Sequence, residues 1–469
     1  MPSRPRCRTY QDLLGTTLAA ALKAGTVSAG HREHVLVESA FSGHPLLSLP
    51  LSAPADARNA VERARTAHGV WRGVRASDRA RWLAWLRKGL AGRHGALGSV
   101  LTHAAGLGSV DAATELRQAD RVLRHFAAAG RHGFGSWQPQ GRAGPGGPPH
   151  RTGERPAVLA SQVDDARPLA SLLEGALPAL LRGGAVVTEV DVRSAMVALA
   201  VTSAARRAGL PAGAWQLVVQ GFSDHATARA VRAVLTEHAD DVATQCCGPG
   251  PARSTRARPR LPGLLVVRHD GQARAAARAA VRACFSRAGR GCAATPLIAV
   301  HAAQSADFLD CFVREAARFT PGSTLLQRRQ PALFLDWADR AVASGAQPLL
   351  LGGRPGDRPD GSAPTVPRPV ILLDGSRWHE RPHELPLGPL AVVTRFTWWA
   401  QALELAQHTG SHLSVFTRTH ASRLAPQFAG LPATRIRLNQ PPVAGLLPRG
   451  ALPVAEGHDD DARDAGGFR

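Results

Sequence analysis

From Pro156 onward the chain alternates short apolar runs with helix-period segments, and no other feature constrains its fold as tightly. Ala157–Ser161, Ala185–Val190, Gln216–Gln220 and Asp241–Gln245 read as strands. Leu169–Leu181, Ser194–Ala208 and Ala226–Leu235 read as the helices between them. Strands separated by helices cannot close as hairpins, so they pair in parallel through crossovers. The pattern repeats further on. A helix over Gln272–Arg287 leads through Gly289-Arg290-Gly291 to a buried strand at Thr295–Val300. Ala306–Arg318 and Leu335–Ser344 then read as helices, and Pro348–Gly352 and Pro369–Leu373 as strands. Trp399–Gln407 reads as a helix, Leu413–Phe416 and Thr434–Asn439 as strands. The expected class is α/β with Rossmann-type parallel sheets. No GxGxxG or P-loop motif accompanies it.

The first part of the chain is helical. Residues 1–35 are a poorly patterned leader without a signal-peptide core. Glu38–Leu51 reads as a hairpin turning at Ser42-Gly43-His44-Pro45. Ala57–Val70, Ser77–Leu90 and Ala112–Ala128 read as amphipathic helices, the second capped by Ser77 or Asp78. Gly133–Arg155, rich in Gly, Pro and Arg, reads as a linker, and Gly450–Arg469 as a disordered tail.

With 469 residues and 44% hydrophobic content, two or three domains with sizeable cores are expected. The net charge is +21, and all but Lys23 and Lys88 of the 57 basic residues are arginine. Arg is dispersed rather than blocked and no nucleic-acid motif occurs, so the charge does not point to nucleic acid. Six cysteines lack C-x-x-C spacing, which argues against a disulfide framework or a metal site. No apolar run is long enough to span a membrane. The expectation is a reduced, soluble, cytoplasmic protein.

Against this background VRACFSRAGRGCAAT (281–295) stands out. Cys292 follows a Gly-flexed break between a helix and a core strand, where a nucleophile can be presented. The neighbouring Arg287 and Arg290 could lower its pKa. The alternative is a buried structural Cys.

Phe285, Ala288, Gly289 and Cys292 stand in register with F-x-N-A-G-Q-x-C, so the segment resembles the active-site stretch of the aldehyde dehydrogenase superfamily. The RACFS opening is similar to actinobacterial succinic semialdehyde dehydrogenases. LPALLRGGAVV (177–187), AARRAGLPAGAWQLVVQG (204–221), ELPLGPLAVVTRF (384–396) and TRIRLN (434–439) resemble further family motifs in the same order. The resemblance implies two Rossmann-type domains with an oligomerisation element, here altered or truncated. It divides the chain into 1–132 and 156–262 for the cofactor-binding domain, 133–155 for a linker or oligomerisation hairpin, 263–440 for the catalytic domain and 441–469 for the divergent tail.

The resemblance also implies a chemistry. A thiolate attacks an aldehyde, a hydride leaves to NAD or NADP, and a Glu activates the water that hydrolyses the thioester. Cys292 takes the nucleophile position. Ala166 falls on the oxyanion Asn and Arg258 on the base Glu, so both are substituted. Glu189 falls on the cofactor-binding Lys, Gly248 opens the phosphate-facing helix, and Glu384 lies one residue from the ribose-binding Glu. The segment after Gly248 is shortened and interrupted by Pro249, Pro251, Pro259 and Pro262. Asp164, Asp165 and Glu189 are candidate substitute carboxylates, with solvated loop acids as the simpler expectation. Asp270 is expected to cap the helix before Cys292, and Arg253, Arg256, Arg258 and Arg260 form a basic cluster.

Three readings follow. The first is impaired NAD(P)+-dependent oxidation of a succinic-semialdehyde-like aldehyde through a Cys292 thiohemiacetal, with a small aldehyde substrate and a homodimer as partners. The second is an inactive family member acting as an interaction protein. The third is a cofactor-free thiol esterase.

Overall fold

The computed structural model describes residues 33–131, 157–221, 225–243, 262–291, 293–325, 330–352, 366–373, 384–410, 412–428, 430–431, 433 and 435–441. Residues 1–32, the expected linker, Cys246-Cys247, Gly248, the 253–260 arginines, Cys292 and the tail from 442 lie outside them.

Strands β1 (His34–Glu38) and β2 (Pro45–Pro50) form the expected antiparallel hairpin, with the first strand starting four residues before the expected Glu38. Helices α1 (Pro54–Trp71), α2 (Ala76–Ala91), α3 (His94–His103) and α4 (Ser109–Arg131) follow. Two details differ from expectation. The α2 N-cap is Arg75, without a side-chain cap bond, so Ser77 and Asp78 lie inside the first turn. α3 was not legible, because HGALGSVLTH is short and rich in small residues, yet Leu97, Val100 and Leu101 are buried on one face.

The next elements are β3 (Val158–Gln162), α5 (Pro168–Leu181), β4 (Ala185–Asp191), α6 (Val192–Arg207), β5 (Trp215–Gln220), α7 (His225–His238) and β6 (Asp241–Ala243). They form a parallel four-stranded sheet ordered β5-β4-β3-β6. Val158, Ala160, Ala185 and Val187 pack under α1 and α7, while Leu159, Val186 and Val190 face α2, α5 and α6. Trp71 and Trp82 donate indole N–H bonds to the carbonyls of Leu180 and Ala205, which ties the first helices to this sheet's cover.

The second sheet begins with β7 (Leu264–Val267), α8 (Ala273–Phe285) and β8 (Leu297–His301). It continues with α9 (Ser305–Arg318), α10 (Gln330–Ala343), β9 (Gln347–Leu350), β10 (Val370–Leu373) and β11 (Leu390–Phe396). It ends with α11 (Trp399–Gln407), β12 (His412–Phe416), α12 (Ala421–Leu424) and β13 (Arg435–Leu438). Its order is β13-β12-β7-β8-β11-β10-β9, parallel except for the antiparallel edge strand β9. Leu264, Val266, Leu297, Val370 and Leu372 point to a core with α10 and α11. Their neighbours Leu265, Val267, Ile298, Ile371 and Leu373 point to a core with α8 and α9. Both faces are covered, which is why these strands read as continuous apolar runs rather than alternations.

Candidate active site

The segment before Cys292 is built as a left-handed turn. α8 ends at Phe285, two residues earlier than expected. Arg287 (φ 53°), Ala288 (φ 55°) and Gly289 (φ 67°) then take left-handed backbone conformations in succession. Such conformations cost about 1–2 kcal/mol for each non-glycine residue and persist only where the surroundings enforce them. Gly289 is required sterically, since a Cβ there would lie 2.0 Å from the Gly388 carbonyl oxygen. On either side of Cys292, the Ala294 N–H donates to the Gly291 carbonyl at 2.9 Å and the Thr295 N–H to the Ala283 carbonyl at 3.1 Å. Cys284, near the end of α8, is buried, donates to the Thr295 carbonyl, and is pushed well above the usual thiol range by burial.

Arg287 and Arg290, expected to lower the Cys292 pKa, are themselves engaged by neighbouring groups. Arg287 forms an ion pair at 3.0 Å with Glu115 of α4, a residue with 0% exposure, and donates to the Gln118 side chain. The other Glu115 oxygen accepts the N–H groups of Leu169 and Ala170 at 3.0 and 2.8 Å, closing the N-terminus of α5. Burial raises the Glu115 pKa, with Arg287 and Arg167 opposing it. Arg167 itself is buried and bidentate to Glu174, at 2.7 and 3.2 Å.

Arg290 is 1% exposed. It donates to the carbonyls of Ala105 and Arg287, and its Nη2 is buried with no hydrogen-bond partner. Burial pushes its pKa down to about 10, against the pull of Asp165 and Asp164. The last two belong to the Val163–Arg167 loop. Asp164 is 3% exposed and accepts the Ala166 N–H, and Asp165 accepts from Ser194 Oγ at 2.7 Å. Ser194 lies in the first turn of α6, whose N-cap is Asp191.

The structure brings Ala166 to the Cys292 segment: a Cβ added to Gly291 would stand 3.6 Å from the Ala166 Cβ. Ala166 is fully buried and presents only a methyl group. Glu189 is not brought there. It is 7% exposed, and both its oxygens are held by Arg232 of α7 at 2.6 and 3.1 Å. The expectation of solvated loop acids therefore fails for Asp164 and Glu189, because each is itself buried and hydrogen-bonded. Asp270 is not the α8 cap either. That position is Gln272, without a side-chain cap bond, while Asp270 accepts from Thr417, Thr419 and the Arg418 N–H. Glu384 is exposed, ahead of β11. Glu115 and Asp191 were missed by sequence reasoning. Glu115 shares a stripe with Ala112, Ala119, Val122 and Phe126, and an acid on an apolar stripe was the available signal.

The model of the aldehyde dehydrogenase family matches residues 27–444. The chain belongs to the aldehyde dehydrogenase family. Among its relatives, a non-phosphorylating aspartate-semialdehyde dehydrogenase of Halomonas elongata is 25% identical, over 88% of this chain and 86% of that protein. A putative NADP+ succinate-semialdehyde dehydrogenase of Mycolicibacterium smegmatis is 25% identical, over 83% and 78%. The succinate-semialdehyde dehydrogenase structure from Burkholderia pseudomallei superposes with a TM-score of 0.71 at 21% identity, covering 88% of each chain. In this aldehyde dehydrogenase the Gly291 backbone lies beside the Ala166 methyl group. Among the described residues no helix is long and apolar enough to cross a membrane, and no group of three or more His, Cys, Asp or Glu is placed to hold a metal ion.

Proposed function

We propose that this aldehyde dehydrogenase oxidises a short semialdehyde, such as succinic semialdehyde, to its carboxylate with NAD(P)+, through a thiohemiacetal on Cys292. The observation that carries the reading is the enforced left-handed turn of Arg287, Ala288 and Gly289 directly before Cys292. Backbone strain of this kind is kept where a side chain must be aimed. The relatives named for semialdehydes support the substrate class.

In this reading the Cys292 thiolate attacks the aldehyde carbon, and the carbonyl oxygen takes the negative charge. Backbone N–H groups of the turn must then hold that charge, since Ala166 supplies no donor. NAD(P)+, when bound, supplies the hydride acceptor. The strand ends fit its ribose. Gln220, at the end of β5, has a buried Nε2 without a partner, and Glu189 stands on the adjacent β4 with its carboxylate fixed by Arg232. These groups would donate to and accept from ribose hydroxyls. The domain division at 262/263, the roles of Gly248, Arg258 and Glu384, a homodimer and a cytoplasmic location belong to the same proposal.

A second reading, an inactive family member, is favoured by the buried methyl of Ala166. Loss of one oxyanion donor costs about 10²–10³ in rate. The decisive experiment follows NAD(P)H absorbance with succinic semialdehyde and a small aldehyde panel, beside Cys292→Ser. Turnover that disappears in the variant supports oxidation. A cooperatively folded protein with no turnover supports the second reading.

A further inference from the structure

The strands of the first sheet turn polar at their carboxyl ends. On the side packed under α1 and α7, Val158 and Ala160 of β3, Ala185 and Val187 of β4 and Val218 of β5 are buried core. Side chains alternate along a strand, so the next positions on that side are Gln162, Glu189, Asp191 and Gln220. The register sets Gln162 level with Glu189, and Asp191 level with Gln220. Open parallel sheets bind their ligands at this edge.

The groups there differ in what they have left to offer. Both oxygens of Glu189 are held by Arg232 of α7, at 2.6 and 3.1 Å. Asp191 accepts the Arg193 N–H and so closes the N-terminus of α6. Gln220 is 7% exposed, yet its Nε2 is buried and has no partner. A ligand at this edge thus meets one unused neutral donor, beside a carboxylate whose charge is already matched.

We propose that this edge selects NAD+ over NADP+, with Gln220 and Glu189 reading the adenosine ribose as a diol and Arg232 withheld from a 2′-phosphate. The inference rests on the reading of the chain as an NAD(P)+-dependent enzyme and commits it to one cofactor. A ribose hydroxyl is both donor and acceptor. It can accept from the Gln220 amide and donate to a Glu189 oxygen, since a carboxylate oxygen bonded once keeps a free lone pair. No bond of the folded protein has to break. A 2′-phosphate only accepts, and it carries roughly two negative charges. It would stand against the Glu189 and Asp191 carboxylates, and a single amide donor does not offset that repulsion. Arg232 could hold it only by releasing Glu189, which would leave a buried carboxylate without its counter-charge. Selection therefore comes from a penalty on the phosphate rather than from extra contacts to the hydroxyl.

The test titrates the full chain with NAD+ and with NADP+ by calorimetry, without aldehyde, so that binding is read rather than turnover. NAD+ is expected to bind about tenfold or more tightly. Glu189→Gln keeps the shape of the side chain, removes its charge and frees Arg232. The Arg232 side chain is 39% exposed, so solvent takes over its charge and the variant is expected to fold. In that variant NADP+ should gain about tenfold or more, while NAD+ changes by less than about threefold. Gln220→Leu removes the orphaned donor. It should weaken NAD+ about fivefold without lowering the thermal unfolding temperature, because no hydrogen bond of the folded protein is lost. Equal affinities for the two dinucleotides in the wild type, or an unchanged ratio in a cooperatively folded Glu189→Gln, overturns the proposal and leaves NAD(P)+-dependent oxidation standing. Binding of neither dinucleotide to the cooperatively folded wild type overturns both.

Discussion

The seven-stranded sheet and the seam beside the Cys292 turn are both buried, but they are built from opposite materials. The sheet is sealed by Leu, Ile, Val and Phe, with Phe285, Phe308 and Phe312 packed at 5.3–5.8 Å between ring centres. The seam is sealed by charge: Arg167 with Glu174, Arg287 with Glu115, and Arg290 drawn toward Asp165 and Asp164. Apolar packing tolerates any shape-filling sequence, so a fold can be kept while its residues drift. Buried charges tolerate almost nothing, because each needs its counter-charge. Arg167 and Arg287, which look like random replacements in the sequence, are each met by an acid in space.

The comparison breaks most clearly under truncation. Phe312→Ala should cost about 3–5 kcal/mol by cavity formation. Glu115→Ala should cost a similar 3–5 kcal/mol, because it strands a buried arginine and two helix N–H groups. Denaturant unfolding measures both. The distinguishing result is the double variant Glu115→Met/Arg287→Met, which should recover much of the loss, whereas the phenylalanine cavity has no such partner. Recovery near zero would mean that the seam is held by something other than paired charge.

Next in size, Gly289→Ala should cost at least the 1–2 kcal/mol of a left-handed side chain, roughly, plus the clash with Gly388. It should also abolish any turnover that depends on Cys292. A fully active Gly289→Ala protein would remove the case that the turn aims the thiol.

The pH prediction is subtler. Burial raises the folded-state pKa of Glu115, so the folded protein holds a proton there more tightly than the unfolded chain does. Its contribution to stability is therefore lost as pH rises from the ordinary carboxylate range through the raised value. In Glu115→Gln this downward slope should disappear, so the variant gains on the wild type as pH increases. Thermal unfolding across mildly acidic to neutral pH reads the effect.

The smallest effect belongs to the surface. Asp120 pairs with Arg87 at 3.1 Å and with Arg124, where solvent screens both. Asp120→Asn should change stability by no more than about 1 kcal/mol, and less at high salt. A larger change would blur the line between seam and surface.

How much of this was readable in advance follows from the same physics. Strands such as Ala185–Asp191 and Val370–Leu373 announce themselves, because burial on both faces demands unbroken apolar residues. The helix over Trp399–Gln407 was legible to the residue. What stayed hidden depends on partners remote in the chain. Glu115 meets Arg287 across 287 − 115 = 172 positions of chain, and neither residue carries a local sign of the other. Asp270 has a cap-like sequence position, yet its hydrogen bonds go to Thr417 and Thr419 on a loop far ahead in the chain. The left-handed turn was also invisible, since Arg287 and Ala288 are not residues that propensity places there.

The alternation of side chains through the second sheet has a consequence for how damage spreads. Ile371 and Leu372 are neighbours in sequence but belong to separate bodies of packing, one with α8 and α9, the other with α10 and α11. Each strand acts as a bulkhead: flooding one compartment leaves the other dry. Adjacent lesions on opposite faces should behave as strangers, while Leu372 and Phe334, distant in sequence, should fail together.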